Sequence, residues 1–196
     1  MNEDRSYILF YKPYGVLCQF TDESGKQTLR DFGPFPKGVY GAGRLDFDSE
    51  GLLLLTDNPR VSHRLTDPRF GHPRTYLVQV EGIPTKTELK GLRDGVGVQG
   101  KVTRRAEVKL VGEPLEIPPR VPPIRVRKTI PTSWIEITLR EGRNRQVRHM
   151  TAAVGHPTLR LIRVGIGDLD LSGLAPGKSR KLTSQEIEAL KQGLGL

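Results

Sequence analysis

Cysteine is almost absent from this 196-residue chain, with Cys18 as its single representative. One cysteine excludes a disulfide framework and a cysteine-built structural zinc site. No uninterrupted apolar run approaches the ~20 residues that a membrane helix needs. The opening residues MNEDRSYILFYKPYG contain no basic stretch leading into an apolar h-region, so the expectation is a soluble, cytoplasmic protein. His63, His72, His149 and His156 fall at no HExxH or comparable spacing, and no metal is assigned. There is no internal repeat and no low-complexity tract.

What is present is glycine, proline and positive charge. With 22 Gly and 15 Pro, many turns are expected. Apolar residues make up 36%, enough for the core of one domain of this length, with room for two lobes. The net charge of +9 is unevenly distributed. Residues 1–98 hold 13 Lys/Arg against 13 Asp/Glu, and residues 99–196 hold 18 against 9. A one-sided basic excess suits a polyanion, nucleic acid first, although an inert basic surface has the same composition.

The local patterns give elements. Tyr7–Phe10 reads as a short strand, and Lys12-Pro13-Tyr14-Gly15 as the turn after it. Val39–Ala42 is a second extended run. Gly51–Thr56 is apolar on both faces, as a buried central strand must be. Asn58 followed by Pro59 forms an N-cap and first helical position, opening a helix to about Leu65. Thr75–Val80 alternates, with Tyr76, Val78 and Val80 on one face. Thr85 with Glu88 is a capping box for a helix ending near Gly95. Val102–Leu110 alternates again, with Val102, Arg104, Ala106, Val108 and Leu110 on one face. Ser133–Arg140 points Ile135, Ile137 and Leu139 inward, and Trp134, Glu136, Thr138 and Arg140 outward. Asn144–Val154 reads as a helix closed by Gly155, and Thr183 with Glu186 caps a final helix striped by Ile187 and Leu190. Pro114–Pro131 holds six prolines and reads as an exposed basic loop. Strands outnumber helices, so the fold class is α+β with a mostly antiparallel sheet.

Two segments can carry chemistry. Gly41–Gly51 sets Asp46, Asp48 and Glu50 at alternate positions, two residues behind Arg44. A carboxylate beside a cation stays ionised, as a nucleophile or base must. The same three acids could hold Mg²⁺ for phosphoryl or nuclease chemistry, or could form a solvated acidic turn. The residues leave all three open. In Glu141–Met150, a helix capped by Asn144 would put Arg145, Arg148 and His149 on one face. That face could hold phosphates, set an Arg against a carboxylate, or simply be solvated. Tyr76 and Cys18 taken alone are ordinary core residues.

In order, KPYG (Lys12–Gly15), GRLDFDSEGLLLLT (Gly43–Thr56), RTYLVQVEG (Arg74–Gly82), EGRNRQVRHM (Glu141–Met150) and GHPTLRLIR (Gly155–Arg163) resemble the motifs of RsuA-type pseudouridine synthases. The resemblance runs from about residue 7 to about residue 182. PPIRVRKTIPTSW (Pro122–Trp134) further resembles the short RluE-like branch, whose members act on large-subunit (23S) ribosomal RNA. The chain starts directly at the KPxG motif, so the S4 RNA-binding module that many members carry is expected to be absent. Ser49 stands where many relatives have Thr, Arg145-Gln146 where many have His-Gln, and His149 where many have Arg.

The resemblance implies a single catalytic domain over residues 1–196, with two lobes around a central cleft, and an isomerase that needs no cofactor. Asp46 would be the catalytic carboxylate, attacking C1′ of the target uridine or removing its C2′ proton. Arg148 would pair with Asp46. Tyr76 would stack on the uracil and help remove its C5 proton, with Leu159 on the base's other side. Arg44 would fill the space left by the extruded base. Lys12, Arg125, Arg127, Lys128, Arg143 and Arg145 would contact backbone phosphates. The expected partner is ribosomal RNA, with neither DNA nor membrane, and the chain is expected to be a monomer. A 16S or tRNA substrate, or a non-catalytic ribosome-assembly factor, are the alternatives.

Overall fold

A strand with leucine on both faces is stable only where both faces are covered. In the computed structural model, which describes residues 5–125, 127 and 129–196, every residue of this strand is buried. In chain order the elements are β1 (Tyr7–Lys12), β2 (Tyr40–Gly41), β3 (Glu50–Thr56), α1 (Pro59–Thr66), β4 (Arg74–Glu81), α2 (Lys86–Asp94), β5 (Gly97–Val98), β6 (Lys101–Val102), β7 (Glu107–Val111), β8 (Thr132–Leu139), α3 (Gln146–Ala153), β9 (Thr158–Ile166), β10 (Leu169–Asp170), β11 (Ser179–Lys181) and α4 (Ser184–Gly193). They fall into two compact units. The first runs to His72 and resumes at Val164; the second is Pro73–Arg163.

In the first unit β1 lies between β3 and β11, antiparallel to both, and β2 adds to β3. Alternation sends successive residues to opposite cores. Tyr7, Leu9, Leu52 and Leu54 join Val61 and Leu65 of α1, with Ile187 and Leu190 of α4 packed against them. Ile8, Phe10, Leu53 and Leu55 join Leu29 and a ring cluster that includes Phe20, Phe32 and Phe35. Each fully buried leucine contributes ~1.5–3 kcal/mol. The capping signals act as expected. The Asn58 side chain accepts from the amides of Arg60 and Val61, and Thr183 with Glu186 closes a capping box.

In the second unit β8 lies between β4 and β7, antiparallel to both. Val78, Val80, Val108, Ile135, Ile137 and Leu139 face Leu89 and Leu92 of α2 and Val147 and Met150 of α3. The Thr85–Glu88 capping box forms, and α2 ends at Gly95.

Three sequence expectations are corrected. The alternating run Val102–Leu110 is not one strand: β6 ends at Val102 and β7 begins at Glu107. Long-range bonds break it, with the Thr103 amide donating to Val96 O (2.9 Å) and the Ala106 amide to Arg93 O (3.0 Å). The phase therefore breaks at Thr103, which is buried while Val102 is exposed; in β7 Val108 is buried and Leu110, on the same face, is exposed. Trp134 is buried rather than solvent-facing, because its register partners Gln79 and Val111 flank it on the other face of β8. The third helix starts at Gln146, not Asn144, because Arg145 occupies the left-handed region (φ 50°, ψ 31°).

The architecture is α+β with antiparallel pairing throughout these strand pairs. No helix among the described residues is long and apolar enough to cross a membrane.

Candidate active site

In the first unit, Asp46 sits in the loop between β2 and β3, and backbone bonds fix that loop. The Ala42 amide donates to Leu54 O (2.7 Å) and the Ser49 amide closes a turn onto Asp46 O (3.1 Å). Leu45 and Ser49 are buried on either side, so the half-buried Asp46 is held between two anchors. Gly43 has a positive φ of 86°, which only glycine adopts without strain.

The KPYG turn braces this loop. The Gly15 amide donates to Phe47 O at 2.9 Å. The Lys12 ammonium donates to the carbonyls of Pro13 (2.9 Å), Val16 (2.7 Å) and Phe47 (3.5 Å). Burial pushes Lys12 down to about 8, against the opposing pull of Cys18, Glu50, Asp48 and Asp46. This corrects the expectation for Lys12. With a relative exposure of 0%, its ammonium cannot meet an RNA phosphate; it ties the KPYG turn to the Asp46 loop. Sequence reasoning sets Arg44 beside Asp46; Arg44 is exposed, and Lys12 is a buried cation whose field includes Asp46. Among the described residues, Asp46, Asp48 and Glu50 do not come together as a metal-holding group. Glu50 is instead buried as the first residue of β3.

In the second unit, Tyr76 stands opposite Ile137 in the β4–β8 pair and packs against the core. Near it is Arg74, whose guanidinium burial pushes below its usual value, with Tyr76 opposing that shift and Arg163 reinforcing it. It remains charged at any physiological pH. Arg160 and Arg163 are buried on β9, and Arg160 donates to Pro118 O (3.0 Å), tethering the proline-rich loop. Leu159 is half-buried on the same strand.

The loop before α3 is built on Glu141, a residue that sequence reasoning passed over. This buried carboxylate accepts from the Arg104 amide (2.8 Å), Gln146 Nε2 (2.5 Å) and Arg143 Nη2 (3.3 Å). Gln146 in turn accepts from the Arg143 amide (3.0 Å). The Arg143 guanidinium also donates to Val102 O (2.9 Å) and Lys101 O (3.3 Å), so it is committed within the protein. The network sets the left-handed turn at Arg145 from which α3 carries Arg148. The only sequence signal was Glu141 and Gln146 flanking a Gly-Arg-Asn-Arg turn.

Arg125 is exposed, and Arg127 is exposed and pairs with Glu81 (3.1 Å). Lys128 lies outside the described residues. Cys18 packs against the phenylalanine core, and His156 bridges Glu81 O (2.7 Å) and Glu88 Oε2 (3.1 Å).

These motif loops have known counterparts. Residues 6–153 match the family model of RNA pseudouridylate synthases. The chain belongs to the RNA pseudouridylate synthase family. It is 58% identical over 171 residues to a protein of Xanthomonas axonopodis pv. citri (strain 306) named ribosomal large subunit pseudouridine synthase E, covering 86% of this chain and 90% of that one. It is 37% identical over 190 residues to ribosomal large subunit pseudouridine synthase B of Bacillus subtilis (strain 168), covering 96% and 72%. A solved pseudouridylate synthase superposes with a TM-score of 0.80 at 30% identity, covering 96% of this chain and 74% of that one. A pseudouridylate synthase is an isomerase. The N1–C1′ bond of uridine breaks, a C5–C1′ bond forms, the C5 proton leaves and N1 gains one.

Proposed function

We propose that this pseudouridine synthase modifies a uridine in large-subunit (23S) ribosomal RNA, in the cytoplasm and as a monomer. The observation that carries the choice of substrate is the 58% identity, over 90% of its length, to a synthase named for the large ribosomal subunit. The basic excess in the second half of the chain supports a polyanionic substrate.

In this reading Asp46 is the catalytic carboxylate, acting at C1′ or on the C2′ proton. The fixed turn from Asp46 to Ser49 supports that role, because a reacting carboxylate must be held in place. Arg148 serves as its counter-charge. Tyr76 stacks on the uracil and assists loss of the C5 proton, and Leu159 packs on the base's other side. Arg44, exposed beside Asp46, fills the space left by the extruded uridine. Arg125, Arg127 and Arg145 contact phosphates.

The test is carbodiimide mapping of ribosomal RNA from a strain lacking the gene. Loss of one 23S pseudouridine, restored by the wild-type gene, is expected. Loss of a 16S or tRNA site instead would redirect the substrate. Retention of every site would overturn the reading and favour a binding factor.

A further inference from the structure

The first unit carries a second cluster that this chemistry does not use. After α1 the chain folds back on the helix: the Asp67 amide donates to His63 O (3.0 Å) and the Phe70 amide to Asp67 O (3.1 Å). The turn leaves Phe70 exposed at 36%. The Arg64 guanidinium lies over its ring, 4.4 Å from the centroid. The His72 ring stacks at 6.4 Å and 26°, and the His63 ring meets it edge-on at 5.8 Å and 74°.

A solvent-facing phenylalanine does little for the core, and an arginine laid on it loses side-chain freedom. Cation–π attraction holds the two planes together, so the surface carries a stack of planar groups already ordered before anything binds. The one acid of the cluster, Asp67, is held by a fork from Arg69, with contacts of 2.6 to 3.0 Å. Positive charge and stacked planes are therefore what the cluster offers. An acidic peptide would match the charge but has no use for the planes; a nucleotide matches both. The cluster also adjoins the Asp46 loop. A Cβ on Gly43 would lie 3.5 Å from Cγ2 of Thr66, the last residue of α1. Thus the cluster flanks the loop three residues before Asp46.

We propose that Phe70, Arg64 and His72 form a stacking platform for an unpaired nucleotide of the RNA, next to the target uridine. This rests on the reading of the chain as an RNA-modifying enzyme. The platform acts on binding, not on the reacting atoms, so its loss raises KM rather than lowering kcat.

The experiment measures tritium release from 23S transcript labelled at uridine C5, and anisotropy of fluorescein-labelled dodecauridylate. Phe70→Leu keeps apolar bulk but removes the ring; Phe70→Trp keeps a π-face. We expect Phe70→Leu to raise KM and the dodecauridylate Kd about tenfold, within the range of one base–aromatic stack, and Phe70→Trp to stay near wild type. Arg64→Gln, which leaves the core untouched, carries the same expectation if Phe70→Leu does not fold. Values within twofold of wild type for Phe70→Leu and Arg64→Gln would overturn the platform. So would equal losses in the Leu and Trp variants, which would mean packing. If wild-type protein releases no tritium, the proposed reaction fails, and the dodecauridylate measurement still decides the platform.

Discussion

The Gly15 amide donates to the Phe47 carbonyl at 2.9 Å, tying the KPYG turn to the loop that carries Asp46. Lys12 reinforces the tie by bonding to carbonyls of both segments. Removing its ammonium takes a donor from the buried Val16 carbonyl and from the Pro13 carbonyl, while Phe47 O keeps the Gly15 amide. The loss costs about 1–3 kcal/mol. Lys12→Met should therefore lower the melting temperature by several degrees. It should also reduce kcat more than it raises KM, because Asp46 loses its footing. Thermal melting and steady-state kinetics check both.

The same lysine gives a pH signature. Its folded value of about 8 lies below the ordinary 10.5. Between those values the unfolded chain binds the extra proton, so stability from this group rises with pH from about 8 to 10.5. Activity should run the other way. The ammonium has a proton for each of three carbonyls, whereas the neutral amine has two. We expect kcat to decline above pH 8, and Lys12→Met to flatten that limb of the profile.

Much of this framework was legible locally. Asn58-Pro59 and the Thr85–Glu88 box announce helix starts because capping involves side chains three residues apart. Gly51–Thr56 announces a central strand because leucine on both faces admits no solvated side. What was hidden depends on distant partners. Lys12 reads as a surface cation until the carbonyls of Val16 and Phe47 are seen to surround it. The break after Val102 comes from Val96, Arg93 and Glu141, and no periodicity encodes them. Asp46 is singled out by its motif and stays a proposal, whereas Glu141 is a support whose importance appears only once its three donors are counted.

Glu141 gives the third prediction. Glu141→Ala removes the acceptor of the Arg104 amide, Gln146 and Arg143, and should destabilise the fold by about 3 kcal/mol. Because Arg148 follows this loop, kcat should fall more steeply than RNA affinity. Glu141→Gln retains acceptor geometry for the amide and should recover part of both. Urea denaturation with filter binding separates the effects.

Acid should expose the capping carboxylates. Hydrogen bonds from Thr85, then His156, hold Glu88 at about 2, below the usual 4.5. The Arg180 fork, with the Thr183 amide, holds Glu186 at about 2 likewise. Their stabilisation is present above pH 4.5 and lost as pH falls toward 2. Both are solvent-screened, so the effect is modest. The double variant Glu88→Gln, Glu186→Gln should flatten stability between pH 4.5 and 3, measured by chemical denaturation.

The most direct test concerns the charge on residue 46. Single-turnover tritium release from C5-labelled 23S transcript compares wild type with Asp46→Asn, alongside filter binding of the same transcript. The amide keeps the shape of the side chain but can neither attack C1′ nor take the C2′ proton. The account predicts no release above background, with RNA affinity within about tenfold of wild type, since one charge contributes little to a multi-phosphate interface. Release by Asp46→Asn at the wild-type rate would contradict it.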